Sequence, residues 1–163
     1  MKTEEEKRLH RVCFTGHRPE KLRRSESEIK KDLETQIRRA ADDGLNVFIS
    51  GMARGVDIWA AQIVLKLRSE GGSVRLICAC PYDGFENGWS TVWQRQYKEI
   101  LMSADFVKYV CNCYSRSCFQ ARNEWMVNHA AEVIAVFNGD SGGTKNTMDY
   151  AKKLGVPIVS IAG

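Results

Sequence analysis

The first segment with residues suited to chemistry follows an apolar run near the N-terminus. The run Val12–Thr15 is followed by Gly16, His17, Arg18 and Pro19. Arg18 is able to hold a phosphate through two parallel hydrogen bonds, and His17 is able to donate to a phosphate or to act as an acid or base. A turn shaped by the glycine and the proline, with solvated side chains, explains the same residues equally well. By itself, this segment leaves a turn and a ligand site open.

A second segment forms a tight loop before the helix with the clearest apolar stripe. It contains Gly51, Met52, Ala53, Arg54, Gly55 and Asp57. Its glycines allow backbone N–H groups to point at an anion, assisted by the helix dipole and by Arg54. Asp57 falls in the first turn of the helix, where it either caps the helix or holds a ribose hydroxyl. The spacing alone favours capping.

Two further loops follow apolar runs. Pro81 ends the third run, and Tyr82 and Phe85 come next as candidates for stacking on a base, although a plain surface loop fits them too. The other loop begins a helix and contains Gly142, Gly143 and Thr144. Its amides and hydroxyl suit a phosphate, while a flexible loop with Ser141 or Thr144 as helix cap is the alternative. Several such loops in one short chain strengthen the case for a site.

The elements that must position these loops alternate along the whole chain between strand-like apolar runs and helical periodicity. The runs are Val12–Thr15, Asn46–Ser50, Val74–Ala79, Phe106–Val110, Val133–Phe137 and Pro157–Ile161. Most of them are continuously apolar, which indicates strands buried on both faces of a parallel sheet. The pattern predicts an α/β fold with a doubly wound, mainly parallel sheet of about six strands and helices on both faces. Ligands bind such sheets at the carboxyl ends of the strands, where all four loops lie.

Composition narrows the class of protein. One domain is expected over residues 1–163, with residues 1–10 as a flexible lead-in. The net charge of +4 suits an anionic small ligand and does not require nucleic acid. No membrane span or secretory signal is recognisable, so a cytoplasmic location is expected. The absence of G-x-G-x-x-G and of a Walker lysine motif argues against an ordinary dinucleotide dehydrogenase and a P-loop NTPase.

The cysteines form no recognisable metal motif. Six are present, and the spacing of Cys111, Cys113 and Cys118 lacks the paired C-x2-C units of common zinc sites. We therefore expect reduced thiols and no metal.

Four stretches of the chain resemble the YpsA-like family of the SLOG superfamily: FTGHRPEKL, ISGMARGVDIWAA, RNEWMV and SGGTKNTMDYAKK. This superfamily also contains the DNA-processing protein A (Smf) group and the Lonely Guy nucleotide hydrolases. The resemblance runs from about residue 11 to about residue 161. It implies a Rossmann-like sheet and a pocket for a nucleotide or a nucleotide-derived, ADP-ribose-like ligand. The residues that it assigns to the pocket are Gly16, His17, Arg18, Gly51, Arg54, Gly55, Asp57, Arg122, Asn123, Gly142, Gly143 and Thr144.

One position departs from the Lonely Guy pattern. Those proteins resemble one another in a Pro-Gly-Gly-x-Gly-Thr-x-x-Glu motif whose glutamate performs the hydrolysis, and this chain has Thr147 where that glutamate would stand. A threonine cannot act as a carboxylate, so removal of a base by that mechanism is doubtful. The remaining candidates for acid or base chemistry are Asp57, Glu124 and His17, and Asp149 is a further one if the fold brings it to the sugar.

Three hypotheses follow. The first is a cytoplasmic nucleotide-binding sensor or regulatory protein. The second is a hydrolase for an N-glycosidic or phosphoester bond of a nucleotide, with Asp57 or Glu124 as acid or base and Arg18 as phosphate clamp. The third is binding of single-stranded DNA, against which the mild charge counts. A homo-oligomer is left open, with Trp89 and Tyr114 as exposed aromatic candidates for an interface.

Overall fold

Six strands form one sheet in the computed structural model, which describes all 163 residues. The strands are β1 (Arg11–Thr15), β2 (Val47–Ser50), β3 (Arg75–Cys80), β4 (Phe106–Tyr109), β5 (Glu132–Phe137) and β6 (Ile158–Ala162). Every neighbouring pair is parallel. The predicted runs differ from these strands by no more than one residue at either end, and the α/β fold class is confirmed.

The chain between the strands is mostly helical. The helices are α1 (Glu4–Arg8), α2 (Glu26–Asp42), α3 (Val56–Ser69), α4 (Thr91–Ser103), α5 (Cys118–Asn128) and α6 (Gly143–Leu154), with a short 3-10 helix at Pro19–Lys21. None of them combines the length and apolar character that a membrane crossing would need. All six cysteines are free thiols.

The strand order creates a crevice at one edge of the sheet. The order is β4-β3-β2-β1-β5-β6, so the chain winds outward from β1 in one direction and then returns to add β5 and β6 on the other side. The loops after β1 and β5 therefore leave neighbouring strands in opposite directions. In open parallel sheets, the space between two such loops is where ligands bind.

Alternating side chains of the strands supply two cores. Phe14 and Phe48 face the layer of α2, α3 and α4, and their rings stack 5.9 Å apart. Cys13 and Ile49, one residue away on the same strands, face the layer of α5 and α6. The central strands are thus buried on both faces, which explains why their sequences are continuously apolar.

The first ten residues contain more structure than the lead-in that we expected. Thr3 and Glu6 form a reciprocal capping box that begins α1. Arg8 at its end donates a 3.0 Å hydrogen bond to the carbonyl oxygen of Ala130, just before β5. The sequence of α1 is polar and has no apolar stripe, so periodicity does not predict a helix there. The helix is stabilised instead by its cap and by the contact between Arg8 and Ala130.

The loops after β1 and β2 approach closely. Gly16 lies against α3, where an added Cβ would come within 2.5 Å of the Val56 side chain. Gly55 has a φ of +92°, and its Cβ would lie 2.6 Å from the carbonyl oxygen of His17. Both glycines are needed because the two loops leave no room for a side chain.

The approach at Gly55 can be tested against a matched glycine. Gly44 has a φ of +88° with open space around its Cβ position. We expect Gly44→Ala to lower the unfolding free energy by about 1 kcal/mol, through backbone strain alone. Gly55→Ala should lose roughly 2 kcal/mol more, because the methyl group also collides with the His17 carbonyl. Equal losses in denaturant titrations would contradict the close approach.

Candidate ligand-binding site

A cavity of about 500 Å³ lies at the carboxyl edge of the sheet, beside the crevice between β1 and β5. It is lined by the loop after β1, the start of α3, one face of α5 and the loop that leads into α6. Eleven predicted site residues belong to its lining: Gly16, His17, Arg18, Ala53, Arg54, Asp57, Arg122, Asn123, Gly142, Gly143 and Thr144. Residues from four separate segments therefore meet in one place.

The histidine of the first loop joins the two sides of the crevice. His17 Nε2 lies 3.1 Å from the backbone nitrogen of Asn138, whose N–H it accepts. This bond requires an unprotonated Nε2, so the ring proton is on Nδ1. Burial lowers the pKa of His17, which also favours the neutral ring. The uncharged ring of His17 thus links the loops after β1 and β5 through this hydrogen bond, and its Nδ1–H remains as a free donor.

The N-terminus of α6 opens into the cavity without a cap. Gly142 is the N-cap residue and no side chain hydrogen-bonds to the first turn. The first N–H groups of a helix have no intrahelical partner, so those of Gly143 and Thr144 are left for another acceptor. Arg18 and Lys21 line the same cavity. The cavity therefore combines the amides and the dipole of α6 with cationic side chains.

The loop before α3 differs from α6 because the protein itself uses its amides. The N–H of Val56 donates to the carbonyl of His17 at 3.3 Å, and that of Met52 donates to the Ser50 hydroxyl at 3.2 Å. The N–H of Ala53 donates to the carboxylate of Asp57, also at 3.3 Å. The amides of Met52, Ala53 and Val56 are thus occupied within the protein, and Ala53, Arg54 and Asp57 belong to the cavity lining.

Asp57 is a buried carboxylate of this lining. It is 5 % exposed, its Oδ2 accepts the N–H of Ala53, and its Oδ1 has no hydrogen-bond partner. Burial raises the pKa of Asp57 to about 6, although the charge of Arg122 and the bond from Ala53 oppose this rise. Asp57 therefore does not cap α3, whose N-cap residue Gly55 has no side-chain cap bond; it bonds instead to the loop before the helix and leaves one oxygen without a partner.

Arg122 is the buried cation of the site and reaches across from α5. Its Nη1 donates to the carbonyl oxygen of Gly51, and its Nε donates to Asn123 Oδ1 at 2.8 Å. Its guanidinium carbon lies 5.9 Å from the centre of the Phe85 ring. Burial lowers the pKa of Arg122, while the charge of Asp57 opposes the shift.

An aromatic wall closes the side of the cavity next to α5. Phe85, Trp89 and Phe119 belong to the lining, and the ring centres of Phe85 and Trp89 are 5.1 Å apart. Trp89 is half-buried here, so our expectation that it is exposed was wrong, whereas Tyr114 is 62 % exposed. Trp89 is covered because the loop after β3 folds back over α4, and its ring also packs on Tyr97.

Sequence reasoning missed several lining residues. They are Phe14, Thr15, Lys21, Trp89, Phe119, Met126, Asn138, Asp140 and Ser141. Helical spacing could have found two of them, since Phe119 and Met126 lie three or four residues from Arg122 and Asn123 on one face of α5. The others come from loops whose paths no periodicity describes.

Some predicted residues lie outside the lining. Gly51, Met52, Gly55 and Pro81 are not part of it. Glu124 is also outside and accepts a 3.0 Å hydrogen bond from Gln120 on its own helix. Thr147 is fully buried, and its hydroxyl donates to the carbonyl of Gly143 at 2.8 Å. The carboxylates available to a bound ligand are therefore those of Asp57 and Asp140.

These features define a doubly wound α/β protein with a polar cavity at the point where the strand order reverses. Residues 12–155 match the sequence model of the YspA SLOG family, and the chain belongs to that family. A UPF0398 protein of Halalkalibacterium halodurans is 27 % identical over 151 residues, which cover 87 % of this chain and 80 % of the relative. The membership supports a ligand-binding role of the SLOG type for the chain.

Solved structures share the fold. DNA processing protein A of Streptococcus pneumoniae superposes with a TM-score of 0.69 at 21 % identity, over 95 % of this chain and 51 % of that one. DNA processing protein A of Helicobacter pylori superposes with a TM-score of 0.68 at 21 % identity, over 98 % and 68 %. This chain thus spans about half the length of the pneumococcal protein.

The burial of Asp57 predicts a pH-dependent stability. Because its folded-state pKa is raised to about 6, its contribution to stability is fully present below about pH 4 and is lost as the pH rises through about 6. Between about pH 4 and about pH 7.5, we expect the stability of the wild type relative to Asp57→Asn to fall by roughly 3 kcal/mol.

Asp149→Asn is the control for this experiment. A hydrogen bond from Lys145 lowers the pKa of Asp149, so wild type should gain stability relative to this variant as the pH rises. Urea titrations across the pH range measure both differences. A difference for Asp57→Asn that is independent of pH, or that has the sign of the control, would contradict the raised pKa.

Proposed function

We propose that the cavity binds a nucleotide or a nucleotide-derived ligand of the ADP-ribose kind, and that the protein acts as a sensor or regulatory module. The observation that carries this proposal is the uncapped N-terminus of α6, which opens into the cavity that Arg18 and Lys21 also line. A phosphate group matches free helix amides and cationic side chains at once. Membership of the YspA SLOG family supports a ligand in this cavity.

The remaining walls suit the rest of a nucleotide. Phe85, Trp89 and Phe119 offer ring faces and edges on which a base can pack. Polar groups of Asp57, Arg122 and Asn123 lie on the lining as well. Thr147 supports binding over hydrolysis of the Lonely Guy type, because it places a buried hydroxyl where that mechanism needs a carboxylate.

A thermal-shift panel tests the proposal. The ligands are inorganic phosphate, AMP, cyclic AMP, NAD and ADP-ribose, with a single-stranded oligodeoxynucleotide as contrast, because DNA processing protein A of Helicobacter pylori is described as binding single-stranded DNA. A ligand at a hundred times its Kd stabilises the folded state by about 2.7 kcal/mol. We expect a stabilising shift from at least one phosphate-bearing small ligand. No shift from any of them would overturn the proposal.

Arg18→Ala and Arg95→Ala form a matched pair for this panel. Arg18 lies on the cavity lining, whereas Arg95 is an exposed residue of α4 outside it. We expect Arg18→Ala to weaken binding of the active ligand by about tenfold, through loss of a charge-assisted hydrogen bond. Arg95→Ala should bind as the wild type does. Equal effects of the two variants would place the phosphate elsewhere.

A second candidate function, cleavage of an N-glycosidic or phosphoester bond, is favoured by the buried carboxyl of Asp57. Its pKa of about 6 suits a group that exchanges a proton near neutral pH. Incubation with AMP, followed by chromatography for adenine and adenosine, tests this function. Product that disappears in Asp57→Asn would support it, and no product from the wild type would exclude AMP as substrate.

A further inference from the structure

The free oxygen of Asp57 is the one buried side-chain oxygen or nitrogen of the chain without a hydrogen-bond partner. Leaving such a group unpaired costs about 1–3 kcal/mol or more when it is charged. Ser50 and Ala53 bond to other atoms of Asp57, so the local loop does not satisfy Oδ1. Asp57 also belongs to the cavity lining, and rotation of its carboxyl group would bring the unpaired oxygen to a bound molecule.

Arg122 lines the same cavity as Asp57 and keeps one hydrogen-bond donor unused. Arg122 uses Nε and Nη1 for bonds to Asn123 and Gly51, and Nη2 takes no part in a hydrogen bond within the protein. Asp57 and Arg122 form no direct ion pair, yet the point where a Cβ would stand on Gly51 lies 2.9 Å from Arg122 Nη1 and 3.0 Å from Asp57 Oδ2. The two charged groups thus flank Gly51, where a side chain would collide with both of them.

An unpaired acceptor and an unpaired donor on residues that line one cavity match the two hydroxyl groups of a vicinal diol. One hydroxyl donates to the carboxylate and the other accepts from the guanidinium. We propose that Asp57 and Arg122 form a diol subsite, so that the cavity selects a phosphorylated ribose over its deoxy counterparts. This inference rests on the proposed function, since it places the sugar of the same ligand whose phosphate binds at α6.

The subsite is connected to the phosphate end by a continuous row of contacts. The Cβ position of Gly143 lies 3.9 Å from Asn123 Nδ2, and Asn123 Oδ1 accepts the hydrogen bond from Arg122 Nε. Asn123 therefore stands between the amides of α6 and the Asp57–Arg122 pair. This order along the cavity is the order of phosphate and sugar hydroxyls in a 5′-nucleotide.

Calorimetric titrations at about pH 7.5 test the inference with four probes: AMP, 2′-deoxy-AMP, 3′-deoxy-AMP and inorganic phosphate. Each deoxy form lacks one hydroxyl and so loses a hydrogen bond to a charged group. We therefore expect AMP to bind the wild type at least about tenfold more tightly than one of the two deoxy forms. In Asp57→Asn, this preference should fall below about threefold, while the affinity for inorganic phosphate stays within about twofold of the wild type.

Asp149→Asn is the matched control. Asp149 lies on α6 outside the cavity lining, and its carboxylate is paired with Lys145 at 2.8 Å. This variant should keep the full preference for AMP over its deoxy forms. If Asp57→Asn does not fold, the test rests on the wild type alone. Its preference for AMP over the deoxy forms then supports or overturns the diol subsite.

The outcomes separate this inference from the proposed function. Equal binding of AMP and both deoxy forms by the wild type would overturn the diol subsite and leave the phosphate site standing. A preference that persists in Asp57→Asn would also overturn it. No binding of any probe, phosphate included, would remove both the phosphate site and the subsite.

Discussion

The architecture of the site depends on one buried cation. The Arg122 guanidinium belongs to α5 on one face of the sheet and bonds to the carbonyl of Gly51, in the loop that leads to α3 on the other face. It thereby ties the two helical layers together at the edge where the cavity opens. Burying a charge costs desolvation free energy, and the attraction of the nearby Asp57 carboxylate offsets only part of that cost. The protein therefore keeps a polar, strained centre where an apolar core would be more stable.

The loop after β1 also contacts two other loops, and these contacts determine which backbone N–H groups are free to bind a ligand. The carbonyl of His17 accepts from the first turn of α3, and its ring accepts from the backbone after β5. The first N–H group of α3 therefore has an acceptor in a neighbouring loop, whereas no such bond is made by the first N–H group of α6. Two glycine-flanked helix starts that look alike in sequence thus differ in chemistry, because only one of them packs against a neighbouring loop.

Much of the fold followed from the amino-acid pattern. All six strands were predicted to within one residue, because strands buried on both faces leave uninterrupted apolar runs between helical stripes. Eleven of the predicted site residues line the cavity, since loops after parallel strands must meet at one edge. Pro81 and Glu124 do not line it, because proximity in sequence to a strand end does not determine where a side chain points. Helix α1 escaped prediction because a cap and a contact with Ala130 stabilise it.

The sequence by itself determined the sheet, its two helical layers and the edge at which chemistry is concentrated, because periodicity and glycine placement are local properties. The tertiary structure decided which groups remain free. The unpaired oxygen of Asp57, the neutral ring of His17 and the aromatic wall around Phe85 each depend on residues distant in the chain. Hydrogen-bond satisfaction is a property of the whole packed molecule. No spacing rule could therefore show that the amides of Met52, Ala53 and Val56 bond within the protein while those that begin α6 do not.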